Sequence, residues 1–166
     1  PMPPPSPSPI VANAVPTPPP PVAETLIAGR YRDNGDGTVT DVQTGLHWMR
    51  FSLGQEWKGG TCVGEAKRFT WQEALDAAAA LNRQSGYASH KDWRVPKKEE
   101  LYTLIYLCQD NHQNPTIHQQ IFPNTPKSSF WSFSIDYSNS STLIWNITFN
   151  GGVVHAYPKL GKSYVR

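Results

Sequence analysis

Several chemistries are excluded by what this 166-residue chain lacks. Cysteine is scarce: Cys62 and Cys108 are the only thiols, too few for a four-ligand zinc site and spaced like no redox motif. A charge excess of one sign is also missing. The formal net charge is +2, and Lys and Arg are scattered rather than blocked. Binding a phosphate backbone needs a basic stripe, so nucleic acid is not an expected partner, although mild attraction to acidic glycans or surfaces is permitted. No apolar run approaches the length that spans a bilayer, so no membrane span is expected. Catalytic signatures are absent too: there is no G-x-S-x-G elbow and no phosphate-binding loop, and neither cysteine has an activating neighbour. The five histidines, His47, His90, His112, His118 and His155, include no i, i+4 pair and none in ligand spacing with a Cys or an acid. An enzyme is not expected.

Proline is plentiful but uneven. Eleven of the 16 prolines fall within the first 21 residues, whereas all six tryptophans lie beyond residue 47. Proline fixes φ and removes an amide hydrogen, so Pro3-Pro4-Pro5 and Pro18-Pro19-Pro20-Pro21 favour extended polyproline II. Residues 1–28 therefore read as a stiff tether, and residues 29–166 as one α+β domain. The island Ile10-Val11-Ala12-Asn13-Ala14-Val15 is too apolar for a purely solvated spacer. Either it packs against a neighbouring surface or it is simply tolerated. The chain opens at Pro1 with no basic–apolar leader, as expected of a trimmed, exported product. In that setting Cys62 and Cys108 are expected to form one disulfide, contributing roughly 4 kcal/mol in the chain-entropy model; two unpaired buried thiols are the alternative.

Within the folded part, Asp33-Asn34-Gly35-Asp36-Gly37 is a cluster of turn formers ahead of strand-like Thr38-Val39-Thr40-Asp41-Val42. A break at Thr44-Gly45 precedes Leu46-His47-Trp48-Met49, and residues 54–68 read as an irregular loop. Thr70 and Glu73 form an S/T-x-x-E capping box, and Trp71, Ala74, Leu75, Ala78 and Leu81 recur at helical spacing, with Asn82 to Gly86 ending the helix. A second helix is expected to start at Pro96, with Leu101, Leu104, Ile105 and Cys108 inward. Strands follow at 130–133, 143–149, 153–157 and 163–166, with Asn150-Gly151-Gly152 as a turn.

Arg32 to Asp41, Thr44-Gly45-Leu46 and Trp48 resemble the opening of the Lcl C-terminal domain family, named from the Legionella collagen-like adhesin. The likeness continues through Thr70 to Leu75, Gly86-Tyr87, Asp92-Trp93-Arg94-Val95-Pro96, Glu100-Leu101 and Phe122-Pro123-Asn124-Thr125. It closes with Phe130-Trp131-Ser132, Trp145, Phe149, Gly151-Gly152 and Tyr164-Val165-Arg166. The resemblance implies a C-type-lectin-like fold: two helices against short, mainly antiparallel sheets, with the first and last strands paired. It also implies an exported bacterial surface module, adhesins included. Residues 92–96 would then lock a loop onto the second helix through a buried Trp and an Arg–Asp pair. A fold likeness says less about the ligand.

Three sets of residues are candidates for binding. Asp33, Asn34, Asp36 and Asp41 are spaced like the start of an EF-hand and would supply oxygen ligands to calcium, the one cofactor allowed for. No Glu sits at the twelfth position, and a hairpin held by Asx turns explains the cluster better. Trp145-Asn146 is similar to the Trp-Asn-Asp signature of calcium-dependent lectins, but Ile147 replaces the acid and no Glu-Pro-Asn precedes it; an alternating strand is the better reading. The polar stretch Asp136, Tyr137, Ser138, Asn139, Ser140 and Ser141 mixes one aromatic with adaptable hydroxyls and amides, a composition suited to recognition, with Lys127, His155 and Lys159 as added positive charge. An ordinary solvated loop reads as well. Asn139-Ser140-Ser141 and Asn146-Ile147-Thr148 match the glycosylation sequon, which carries little weight in a bacterial setting.

The expected function is adhesion at the cell surface or outside the cell, through a glycan or a surface protein. The alternative is a structural subunit or decoration of an extracellular filament, with residues 1–28 contacting neighbouring subunits. An accessory domain of an enzyme is a third reading.

Overall fold

The computed structural model describes residues 25–106, 114–138 and 142–166. Most of the expected tether, together with Cys108 and the tip Asn139 to Ser141, lies outside them. Among the described residues no helix is long and apolar enough to cross a membrane.

The architecture is α+β, with three small antiparallel sheets and two helices. β1 (Tyr31–Asp33), β2 (Thr38–Asp41) and β3 (His47–Met49) form a meander. Its first turn closes through side chains: Gly35 N donates to Asp33 Oδ1 at 2.9 Å, and the Thr38 amide donates to Asp36 Oδ1 at 3.0 Å. Such Asx bonds stand in for a backbone turn. Ile27 bridges Tyr31 and packs on the core, so order is present ahead of residue 29.

Residues 54–68, expected to be an irregular loop, contain a hairpin. β4 (Glu56–Lys58) pairs with β5 (Thr61–Val63) in a register that sets Trp57 opposite Cys62. The Gly59-Gly60 turn has φ of 59° and 77°, the mirror-image geometry that suits the twist of a two-residue hairpin.

α1 (Trp71–Gln84) carries the expected capping box: Glu73 N donates to Thr70 Oγ1 at 3.3 Å, and Thr70 N to Glu73 Oε2 at 2.7 Å. Its apolar stripe buries Ala74 completely, and Trp71 donates its indole N–H to the Ser132 carbonyl at 3.0 Å. α2 (Lys98–Tyr102) is five residues long and starts later than Pro96. The Pro96 carbonyl instead accepts from Phe133 N at 2.7 Å, and Lys97 N donates to Glu100 Oε2 at 2.7 Å, so Lys97 is the cap. Leu101 and Leu104 face inward as expected.

β6 (Ser129–Asp136), β7 (Leu143–Thr148) and β8 (Val153–Pro158) make the third sheet. Strand alternation sends Phe130 and Ile147 into one core, with Tyr31, Leu101 and Phe149, and Trp131 and Ile144 into another, with Ala74 and Val165. This sheet is the partition between the two cores. A fully buried Phe or Ile on it contributes roughly 1.5–3 kcal/mol.

The chain end does not pair with the first strand, contrary to the expectation from the resemblance. Ser163 bridges Phe69, Tyr164 bridges Phe130 in parallel, and Val165 O accepts from Leu53 N at 3.0 Å. Among the described strands β1 pairs with β2 alone. Arg166 is buried between Phe122 and Phe130, 4.8 and 5.9 Å from their ring centroids, and donates to Met49 O, Ser52 Oγ and Thr125 Oγ1. Burial pushes its guanidinium down to about 9.

Among the described residues the expected disulfide is absent. Cys62 is a free, buried thiol in a third cluster with Met49 and Phe51. Burial pushes the thiol up, partly opposed by the charge of Arg166. The packing of β5 against Met49 and Phe51 holds Cys62 as a small apolar side chain.

Candidate functional site

A cavity of about 290 Å³ opens between β3, α1 and the segment 90–96. Its lining combines apolar Leu46, Met49, Leu53, Leu81, Val95 and Val165 with His47, His90, Asp92, Arg94 and Glu100, and with Trp48 and Arg166, whose Nε1 and Nε are buried without a hydrogen-bond partner. The volume is at the small end of ligand pockets, and a mainly apolar lining with a few polar groups is their usual make-up.

The outer wall is built from α1 outward. Asn82, in the last turn of the helix, holds both backbone groups of Trp93: Nδ2 donates to Trp93 O at 2.7 Å, and Trp93 N donates to Oδ1 at 3.0 Å. The Trp93 indole N–H in turn donates to Tyr87 O at 3.0 Å. Tyr87 and His90 exchange two backbone bonds of 2.9 Å across a turn whose central residues, Ala88 and Ser89, have φ of 49° and 65°. Non-glycine residues in this region are strained, and such strain gathers at sites where a loop must hold one shape. Gly86 precedes the turn at φ +71°, where a Cβ would stand 1.8 Å from His90 O. The turn sets the His90 ring 4.8 Å from that of His47 and 5.9 Å from Trp93.

Arg94 does not pair with Asp92. It makes two bonds to Glu100, of 2.8 and 2.7 Å, locking the segment to α2. Asp92 is exposed and lies 3.7 Å from His90 Nδ1. The hydrogen bonds from Arg94 hold the Glu100 carboxyl below the usual carboxylate range despite burial, and the same pairing raises Arg94. Trp93 is half-buried rather than buried.

The residues singled out in the sequence fall elsewhere. Asp136 ends β6 almost buried, and Oδ1 accepts from Ser138 N at 3.0 Å and Ser138 Oγ at 2.6 Å; these bonds hold its carboxyl down. Tyr137 stands 79% exposed beside it. Lys159 joins this end, since its amide donates to Thr142 O at 3.0 Å. Lys127 precedes the other end of β6, about 23 Å of strand away. His155 lies mid-strand on β8, 3.5 Å from Ser129 Oγ. The structure therefore gathers Asp136, Tyr137, Ser138 and Lys159 and separates Lys127 and His155 from them.

The four oxygen donors considered for calcium are engaged within the chain. Asp33 Oδ2 accepts from Arg50 at 2.6 Å, Asn34 and Asp36 bond Thr38, and Asp41 is gripped by Arg30. Among the described residues no group of three or more His, Cys, Asp or Glu converges as a metal site. Asn146 is fully buried and donates to Ser163 Oγ at 2.8 Å, and Trp145 carries Lys98 Nζ 4.7 Å above its ring; both support the sheet.

Sequence reasoning missed the cavity. Asp92 to Pro96 was visible as a motif, but His47, Leu81 and Val165 have no local signature that relates them.

No curated protein and no solved structure matches this chain. A family model described as the Lcl C-terminal domain matches residues 37–166, from the first hairpin turn through the cavity to the buried terminal arginine. By that match over most of its length, the chain belongs to the Lcl C-terminal domain family.

Proposed function

We propose that this chain is an exported bacterial adhesion module that binds a glycan or a surface protein outside the cell. Family membership is the observation that carries the reading: it makes this an adhesin-type binding domain with a non-enzymatic role. The surface geometry supports it. Tyr137 stands out from the end of a rigid sheet, flanked by Ser138 and Lys159, and a stiff aromatic surrounded by adaptable polar groups is a recurrent recognition surface. Asn139, Ser140 and Ser141 extend the same polar stretch, with Lys127 and His155 as more distant contributors. Calcium in the first hairpin is not required, because its carboxylates already have partners.

The test is binding of the full chain to a glycan array and to immobilised bacterial and host-cell surfaces. Saturable binding to at least one, weakened 10-fold or more by Tyr137→Ala with the melting temperature unchanged, is expected. Absence of binding to every surface, or substrate turnover by the purified chain, overturns the proposal.

A further inference from the structure

We infer that the cavity between β3, α1 and residues 90–96 binds the carboxylate of a small organic acid with an apolar body, its oxygens accepting from Arg166 Nε and Trp48 Nε1. This site is independent of the adhesion reading above, and each can fail without the other.

Two donors that the fold has buried and left unmatched point to it. Trp48 and Arg166 both line the cavity and are only 5% and 7% exposed, yet neither Trp48 Nε1 nor Arg166 Nε has a hydrogen-bond partner among the described residues. A buried donor without an acceptor costs stability, and a charged one costs more. Arg166 is the charged one. Its other two nitrogens donate to Met49 O, Ser52 Oγ and Thr125 Oγ1, all neutral, and no carboxylate is among its partners. Burial pushes the guanidinium down to about 9, so it is still a cation at neutral pH. Buried charges are ordinarily paired. The two acids on the cavity are committed elsewhere: Glu100 takes two bonds from Arg94 and one from Lys97 N, and Asp92 is 89% exposed beside His90.

Charge and lining together choose the class of ligand. A neutral group, such as a sugar hydroxyl or a peptide carbonyl, would satisfy a donor but leave the cation unpaired. Sulfate or phosphate would bring charge, but its remaining oxygens would face Leu46, Leu53, Leu81, Val95 and Val165, whose side chains have no donors. A carboxylate carried on an apolar body meets both conditions, because charge-assisted bonds form at one end and aliphatic contact at the other. Room is sufficient: roughly 150 Å³ holds benzene, and this cavity is about 290 Å³. The two nitrogens are themselves covered, so the acid reaches them by displacing a lining side chain. Met49 is suited to move, since it has three rotatable bonds, follows Trp48 directly and bonds Arg166 through its backbone carbonyl alone.

The test uses the full chain labelled with ¹⁵N and follows the Trp48 indole N–H and Arg166 Nε–H signals. Benzoate and isovalerate are titrated beside their uncharged counterparts, benzamide and isovaleramide, and beside sulfate. N-acetyl-L-phenylalanine is a further acid and stands for the carboxylate at the end of a peptide. Expected are saturable shifts of both signals with the acids, binding weaker by about 10-fold or more with the amides, and no shift with sulfate. Tighter binding of N-acetyl-L-phenylalanine than of the simple acids would assign the carboxylate to a peptide end, and the reverse to a free acid; both support the site. Ala78→Leu, which fills the cavity from α1, is expected to weaken binding of the acids. If that variant fails to fold, the contrast between acid and amide in the wild type decides. The inference is overturned if the amides bind as tightly as the acids, or if sulfate moves the signals at the same concentration. It is also overturned if no probe moves them, or if folded Ala78→Leu binds the acids like the wild type.

Discussion

Asp41 is where a single substitution separates an internal ion pair from a metal site. Its side chain is fully buried at the end of β2 and accepts four hydrogen bonds, from Arg30 Nε at 2.9 Å, Arg30 Nη2 at 2.5 Å, Thr44 Oγ1 at 2.8 Å and Gln43 N at 3.1 Å. Arg30 also donates to Thr103 O at 3.0 Å, so the pair ties the first hairpin to the end of α2. Removing one partner of a buried pair costs about 3–5 kcal/mol, because the other charge is left unpaired. The Arg30 side chain keeps 21% exposure and can recover some hydration. The lower end, about 3 kcal/mol, is therefore expected for Asp41→Ala, or a melting temperature lower by roughly 9 °C. Asp41→Asn keeps one acceptor oxygen, for either the Gln43 amide or the Thr44 hydroxyl, which bond different carboxylate oxygens, and should lose less than Asp41→Ala. Burial pushes the Asp41 carboxyl up, but the bonds from Arg30, Thr44 and Gln43 outweigh it, so its folded pKa lies below the ordinary value. The stability that this contributes is present above the unfolded pKa of about 4 and is lost as pH falls through the folded pKa. Urea unfolding followed by circular dichroism should accordingly show the gap between wild type and Asp41→Ala narrowing below about pH 4. EDTA should change neither protein. A gap under about 0.5 kcal/mol at pH 7, a gap that does not narrow as pH falls below about 4, or a wild type destabilised by EDTA would refute the ion-pair account.

Two further outcomes are expected. Gly86→Ala forces a Cβ into the space of His90 O at φ +71°, and should cost roughly 2 kcal/mol or more in urea unfolding; a variant as stable as wild type would mean that the Tyr87–His90 turn is not held as described. Cys62, buried and with its thiol pushed up by burial, should react with a thiol reagent slowly in the native state and promptly on unfolding without reductant. Failure of Cys62 to react in the unfolded chain would restore the disulfide.

Much of the fold was legible because its signals are local. The capping box of α1 involves residues three apart, and the apolar stripe from Trp71 to Leu81 lies within one helix. The Asx turns at Asp33 and Asp36 were read directly from composition. Gly59-Gly60 is a hairpin signal too, but Gly54 and Gly64 around it give residues 54–68 the composition of a loop. The start of α2 was misplaced because Pro96 is as well suited to the edge of β6 as to a first helical turn. In the Asp92-Trp93-Arg94 motif the nearby acid was the obvious partner for the arginine. Glu100, six residues on, has the geometry for two parallel bonds.

From sequence alone came the α+β class, the first helix, the late strands and the family. Each rests on periodicity, capping or ordered motifs that short stretches of chain express by themselves. Tertiary structure alone decided that Cys62 stays a free thiol, that Arg166 is buried between two phenylalanines, and that the chain end pairs with Phe69 and Phe130 rather than with β1. It alone decided, too, that residues as distant as His47, His90 and Val165 surround one cavity. Those outcomes depend on how side chains far apart in sequence fill a common volume, and close packing is settled only when all of the elements are in place.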